Sequence, residues 1–522
     1  MPERALRAWF WRSVALVALA AVAVPAMADV RLPAVVTDNM VLQRDMAAPI
    51  WGWADAGEQV TVSIQGQSKK AQPDASGKWL VRLDPLPVGG PHTMTVSGKN
   101  SITIQNILVG EVWLCSGQSN MQMTVAASNN SEAEIAAAKF PKIRLLSVPQ
   151  VGTQEPQKDF KGQWVECSPE SVGRFSAAAY FFGRELQQKL GIPIGLIHCS
   201  WGGSSCEAWV KRSILEADAQ YKPLLERTDA TAANWDPEKV AANYAKQVEN
   251  WKKAAAKAKA EGKDAPKPPR KPTDFRTGQH RAANLYNGML LPLIPYAIRG
   301  AIWYQGESNA GRAYQYRDLF PKMINNWRTD WGQGDFPFYF VQLANYKAVK
   351  PEPADSDWAE LREAQTMTLK LPKTGQAVII DIGEAGDIHP KNKQDVGKRL
   401  ALWALAKDYG QNVVYSSPMY KAFQKRGKEL VISFDHVGGG LVAKDSAELK
   451  GFAVAGADRK FVWAQARIEG EKVVVSSAAV ADPAAVRYAW ADNPICNLYS
   501  KAGLPACPFR TDDWPGITAE AK

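Results

Sequence analysis

The stretch Val112-Trp113-Leu114-Cys115-Ser116-Gly117-Gln118-Ser119-Asn120-Met121 decides how the chain is read. It opens as an apolar run suited to a buried strand and breaks at Ser116-Gly117. It then presents a hydroxyl, Ser119, among amides. A serine just past a strand, in a tight glycine-containing turn, suits a nucleophile, because the turn exposes the oxygen and nearby N–H groups can bind an oxyanion. Taken alone, the same residues also read as an ordinary strand-to-loop turn.

Outward from this point the pattern alternates. Apolar runs at Glu111–Cys115, Ile194–Cys199, Gly300–Tyr304, Phe338–Leu343 and Ala377–Ile382 read as strands. Phe175, Ala178, Ala179, Phe182 and Leu186 recur at helical spacing, and 312–331, 357–371 and 393–406 also read as helices. Near-continuous apolar strands separated by helices predict an α/β fold with a parallel sheet covered on both faces. Ligands in such sheets bind at the carboxyl ends of the strands. Ser119, Gly202-Gly203, Gln305 and His389 all fall just past predicted strand ends, so one crevice is expected to collect them.

The 522 residues imply several domains. Residues 1–28 read as a secretory signal: Arg4, Arg7 and Arg12, then the apolar run Val14–Val24, then Ala26-Met27-Ala28 before a cleavage site. A secreted or periplasmic protein that does not stay in a membrane is expected. Residues 29–105 alternate apolar and polar residues between glycine turns and read as a small β-sandwich-like domain. Residues 106–412 form the α/β part, interrupted at 215–285 by a charged helix and a proline-rich linker. Residues 413–522 return to a β-rich pattern, with a hairpin at 461–476. The net charge of +10 resides largely in 236–273, where ten Lys/Arg face five Asp/Glu. The charge is one solvated segment, and no nucleic-acid-binding module is visible. Six cysteines in an exported chain permit disulfides, with Cys496 and Cys507 the easiest pair to imagine. No cysteine or histidine has metal-ligand spacing, and no cofactor is expected.

A serine nucleophile needs a base, usually histidine. Of the five histidines, His92 and His436 lie in the β-rich flanks and His198 sits in an apolar run as a core residue. His280 and His389 remain. His389, in Gly383-Glu384-Ala385-Gly386-Asp387-Ile388-His389-Pro390, follows the last predicted strand, and Asp387 could orient its ring. A third stretch, Ile302-Trp303-Tyr304-Gln305-Gly306-Glu307-Ser308-Asn309, sets amides and a carboxylate past a strand end.

Together, Gly117-Gln118-Ser119-Asn120-Met121, Trp303–Asn309 and Asp387-Ile388-His389-Pro390 resemble the sialate O-acetylesterase-like branch of the SGNH hydrolases, over roughly 106–410. The resemblance implies a three-layer α/β/α domain and metal-free hydrolysis of O-acetyl groups on an oligosaccharide or polysaccharide. It implies Ser119 as nucleophile, His389 as base, and an oxyanion hole from Ser119 and Gly202 or Gly203. A third donor is expected from Gln305 or, one place late for the family spacing, Asn309. Asp387 is the first choice for the acid although it precedes His389 by two residues rather than three, so Asp381 and Glu384 stay open. Gln118, Asn120 and Glu307 are candidates for substrate contact. The flanking β-rich segments resemble those of bacterial hemicellulose esterases, which implies acetylated xylan or xyloglucan. Two other readings compete: a glycosidase pairing carboxylates such as Glu307 and Asp387, and a non-catalytic glycan-binding protein.

Overall fold

The computed structural model describes residues 29–521; the signal segment expected at 1–28 lies outside them. Strand β1 (Ser101–Gly117) is the spine of the molecule. Its first half pairs antiparallel with Gly89–Ser97 and its middle pairs parallel with Val41–Gln43, within the N-terminal β unit. Its last half enters a second sheet. One strand thus runs through the boundary expected at 105/106, and the two sheets share it. The N-terminal unit is sandwich-like: Ile50, Trp51, Trp79 and Val81 of one two-stranded sheet share a core with Val60, Val62, Met94 and Val96 of the other.

The remaining strands of the central sheet are β2 (Phe140–Ser147), β3 (Val165–Cys167), β4 (Ile194–Ser200), β5 (Gly300–Tyr304), β6 (Phe338–Val341) and β7 (Thr374–Ala377). Their order is β7-β6-β5-β1-β4-β2-β3, with all neighbours parallel except β2 and β3. Alternate residues feed two cores. Val112, Leu114, Ile197, Trp303 and Phe340 face one side. Trp113, Cys115, Leu196, Ile302 and Tyr339 face the other. Burial on both faces explains the near-continuous apolar strands.

Beyond the four-residue turn α1 (Ser119–Gln122) come α2 (Ala177–Leu190), α3 (Pro237–Ala260), α4 (Ala313–Trp331), α5 (Asp357–Met367) and α6 (Lys393–Lys407), of which α2, α4, α5 and α6 cover the sheet. Helix α2 starts where the Ser176 hydroxyl accepts from the Ala179 N–H at 3.2 Å and stops at Gly191 in the left-handed region. Helix α6 packs tightly on it: a Cβ at Gly397 would lie 2.5 Å from the Phe182 nitrogen. Helices α4 and α5 cover the opposite face through Phe320, Met323, Trp327, Leu361 and Ala364. Helix α3 buries none of its residues, as the charged insertion predicts. The proline run after it folds back, with the Trp251 indole N–H donating to the Pro266 carbonyl at 2.6 Å. No helix among the described residues is long and apolar enough to cross a membrane.

The C-terminal segment forms two four-stranded antiparallel sheets, whose core joins Leu430, Ile432, Val473, Val454, Val486 and Phe509 to Val378 and Ile380. The hairpin at 461–476 is present as Gln465–Glu469 paired with Lys472–Ser476. The predicted strand Ala377–Ile382 is displaced: pairing ends at Ala377, and Val378 and Ile380 turn into the C-terminal core instead. The disulfide imagined between Cys496 and Cys507 is absent, and all six cysteines are free. Cys507 is enclosed by the Gln342, Gln376 and Thr366 side chains, which bond its sulfur.

Candidate active site

Register builds the site. Gly117 lies opposite Ser200 on β4 and Tyr304 on β5, so three neighbouring strands end level and their loops leave side by side. This is where the chain order of the strands switches, the usual place for a ligand crevice. Gly117 has φ of 142°, and a Cβ there would fall 2.2 Å from the Tyr304 carbonyl oxygen. Only glycine lets the chain turn at that point. Gln118 then donates its N–H back to that oxygen at 2.9 Å, and α1 starts at Ser119. The Ser119 N–H, as the first of the helix, lies outside the intrahelical ladder.

His389 comes to Ser119 from the loop beyond β7. Its Nε2 is 2.9 Å from the Ser119 Oγ and its Nδ1 is 3.1 Å from Asp387 Oδ1. The same carboxylate oxygen accepts the His389 backbone N–H at 3.0 Å. That second bond closes an Asx-type turn, which is how a separation of only two residues lets the carboxylate reach the ring. Partial burial raises the Asp387 carboxyl, but the two His389 bonds outweigh it, with a smaller pull from Lys267, and hold it below the usual carboxylate range. Lys267 belongs to the proline-rich segment, so that segment passes near the catalytic loop. Of the other acids, Asp381 forms a two-pronged ion pair with Arg399 at 2.6 and 2.8 Å and accepts from Tyr499. Glu384 accepts the Lys391 N–H at 3.0 Å. Both are committed away from the imidazole.

Gly202 borders the serine: a Cβ on it would lie 3.4 Å from the Ser119 Cβ. Its N–H donates to the Gln122 Oε1 at 2.7 Å. Gly203, with φ of 74°, makes the turn, and its carbonyl accepts the Ser308 hydroxyl at 2.7 Å.

The loop after β5 departs from expectation. Gln305 is fully buried; its Nε2 donates to the Ser204 carbonyl at 3.1 Å and to Asn309 Oδ1 at 2.7 Å, while its Oε1 accepts from the Tyr316 hydroxyl at 2.8 Å. Asn309 donates to Glu207 at 2.9 Å and accepts the Cys206 N–H at 2.9 Å. Both donors of the Gln305 amide are taken by these bonds, and Asn309 has one of its two on Glu207. Gln118, Asn120 and Glu307, the candidates for substrate contact, also bond to the neighbouring loops. Gln118 Oε1 accepts from the Gly306 N–H at 3.3 Å. Asn120 Nδ2 donates to Glu307 Oε1 at 2.6 Å and to the Ile388 carbonyl at 3.0 Å. Asp387 is engaged with the His389 imidazole and Glu307 holds Asn120 through Oε1. Among the described residues no group of three or more His, Cys, Asp or Glu side chains is placed to hold a metal ion. His198 is the core histidine expected: burial pushes it down to about 4, and it bonds the Ser200 hydroxyl at 2.6 Å.

Two neighbours of the site were not singled out from the sequence. Gln122 gives no signal beyond being polar. Lys393 does: it is the first residue of α6, where the helix dipole disfavours a cation, and it is fully buried.

The model of the family described as "Carbohydrate esterase, sialic acid-specific acetylesterase" matches residues 109–259 and 277–405, more than half of the chain. The gap falls on the proline-rich segment. The sialate O-acetylesterase of Mus musculus is 32% identical, the match covering 95% of this chain and 97% of that one. The Homo sapiens sialate O-acetylesterase is 30% identical over 93% and 94%. A solved carbohydrate acetylesterase of Xanthomonas citri superposes with a TM-score of 0.79 at 38% identity, covering 93% of this chain and 100% of that one. The chain therefore belongs to the sialic acid-specific acetylesterase family and is a carbohydrate O-acetylesterase.

Proposed function

We propose that this esterase works through an acetyl-enzyme, with Ser119 as nucleophile, His389 as base and Asp387 as the group that orients the imidazole. The observation that carries the reading is the continuous line Ser119 Oγ, His389 Nε2, His389 Nδ1, Asp387 Oδ1, with steps of 2.9 and 3.1 Å. His389 takes the Ser119 proton as Oγ attacks the acetyl carbonyl carbon. The oxyanion accepts from the Ser119 and Gly202 N–H groups, so the Gln122 amide oxygen must give way on Gly202. Collapse breaks the bond to the sugar oxygen, which leaves with the proton from His389. Water, deprotonated by His389, then attacks the acetyl carbon; the bond to Ser119 Oγ breaks, His389 returns the proton to Oγ, and acetate leaves.

The substrate class is an O-acetylated glycan, with acetylated sialic acid as the first reading. The relatives named for sialate carry that reading, and Lys267 beside the catalytic loop offers a cation near a sugar carboxylate. Acetylated xylan or xyloglucan is the second reading. It is favoured by a groove of about 300 Å³ that Pro351 lines together with Trp463, a ring 43% exposed and suited to stacking. We further read residues 1–28 as an export signal. Acetate release from a panel of acetylated sialosides, xylan and xyloglucan, with Ser119→Ala as control, tests the reaction and the substrate together. Release by Ser119→Ala at the native rate would overturn the mechanism.

A further inference from the structure

We infer that Lys393 is a positioning residue for the Ser119–His389 pair, acting through the orientation of the Asn120 side-chain amide; this rests on the serine mechanism proposed above. The Lys393 ammonium is fully buried and donates to Asn120 Oδ1 at 2.6 Å. It lies 5.1 Å from the centre of the Tyr304 ring, and among the described residues no carboxylate comes within ion-pair distance of it. Asn120 directly follows the nucleophile. Its Nδ2 donates both to Glu307 Oε1 and to the carbonyl of Ile388, the residue before the base. One amide therefore ties the backbone beside Ser119 to the backbone beside His389.

The orientation of that amide is not free. Rotated by half a turn, Asn120 would set its oxygen against two acceptors, the Ile388 carbonyl and the Glu307 carboxylate, and break both bonds. Lysine carries donors only, so it bonds Oδ1 and never Nδ2. Lys393 thus selects the one orientation in which the amide clamps the two loops. Its situation is costly. Burial pushes it down to about 7 despite the opposing pull of Glu307, Glu384 and Asp387. The same burial pushes Glu307 up, against the Asn120 bond and the charges of Lys393 and His389. A cation at a helix N-terminus, buried without an ion pair, adds nothing to packing that methionine would not supply.

The test is a double-mutant cycle on kcat and KM with an acetylated sugar, using Lys393→Met, Asn120→Ala and the double variant. Each single change is expected to lower kcat roughly 10- to 100-fold, the size of a small misplacement of reacting groups, with KM within about twofold. The double variant is expected to be no slower than the slower single one, because both changes release the same clamp. Losses that multiply in the double variant, or a Lys393→Met enzyme with native kcat, would overturn the inference. Asn120→Asp covers the case in which Lys393→Met does not fold. It keeps an acceptor for Lys393 but has no donor for Ile388 or Glu307, so it should lose kcat to the same extent; native kcat there also overturns the inference. An inactive Ser119→Ala beside a normal Lys393→Met sinks this inference alone, whereas an active Ser119→Ala sinks the mechanism beneath it.

Discussion

The loops after β1 and β5 start level with each other, on neighbouring strands, and carry the same kinds of residue. Gln118-Ser119-Asn120 leaves one strand and Gln305-Gly306-Glu307-Ser308-Asn309 the other. In the first, the serine oxygen stands open to an imidazole 2.9 Å away. In the second, both amides are buried, and their bonds run to Ser204, Tyr316, Cys206 and Glu207. The difference lies in the company each polar group keeps. Glu207 is buried; burial raises its carboxyl, but Arg312 and Asn309 hold it below the usual range. Asn309 helps to solvate this buried ion pair and Gln305 braces Asn309, so both donors of Gln305 and one of Asn309 are engaged within the scaffold.

The sharpest way to break this comparison is to remove the reactive group from the first loop. Ser119→Ala is expected to lower kcat by up to about 10⁶ with the fold intact, since a triad acts as a unit. Residual turnover near the native rate, with a native circular dichroism spectrum, would mean that the open loop is not the reactive one.

Asp387→Asn is expected to lower kcat by roughly 10²–10⁴, because an amide favours the wrong imidazole tautomer. It should also loosen the turn that the Asp387 carboxylate closes on the His389 N–H. Asp381→Asn breaks the pairing with Arg399 and Tyr499 and should cost stability with much less effect on kcat. Rate measurements and thermal melts on both variants decide it; the reverse pattern would move the acid to Asp381.

The second loop predicts the opposite signature. Gln305→Ala strands the Tyr316 hydroxyl and the Ser204 carbonyl in the interior. A loss of roughly 2–4 kcal/mol in stability is expected, with kcat changed by less than about tenfold, well short of the 10²–10³ of a lost oxyanion donor. Denaturant titration beside steady-state rates checks this. A hundredfold loss of kcat at native stability would return Gln305 to the oxyanion hole.

These contrasts mark what could be read from the chain. Apolar runs located β1, β4, β5 and β6, because strands buried on both faces leave an uninterrupted signature, but they missed β2 (Phe140–Ser147) and β3 (Val165–Cys167), which keep exposed residues among the buried ones. That Ser119, His389 and Asp387 would meet was legible because Ser119 and His389 each follow a predicted strand end of one parallel sheet, where loops converge. The Ala377–Ile382 run misled because Val378 and Ile380 are apolar for another reason, burial in the C-terminal core. The roles of Gln305 and Asn309 were not legible either. An amide past a strand end looks the same whether it faces a crevice or a buried Glu207, and the partners that decide it lie about a hundred residues away. Nor could spacing show that Gln122 covers the Gly202 N–H, a contact between residues 80 apart.

The smallest expected effect concerns Lys393, which lies under both loops. Its folded value of about 7 lies below the ordinary lysine value of 10.5. In that window the unfolded chain binds more protons than the folded one, so stability contributed by this group rises with pH between about 7 and 10. Below pH 7 the full penalty of a buried cation is present; above about 10 it is gone. Lys393→Met removes the penalty at every pH and orphans Asn120 Oδ1; the stronger bond that an ammonium makes than a neutral amine is already contained in the folded value of about 7, so the pH dependence of the substitution is that of the lysine it removes. The effect of the substitution on stability should therefore be more favourable at pH 6 than at pH 9.5, by at most about 3 kcal/mol. Glu307, Glu384 and Asp387 face the same group; the bonds from His389 hold Asp387 below the usual carboxylate range, whereas burial raises Glu307. Repeating the melts in Glu307→Gln removes that complication. If the difference between native and Lys393→Met stability does not change with pH in either background, the lysine titrates as it would in water, and the buried cation beneath the two loops is not the costly element described above.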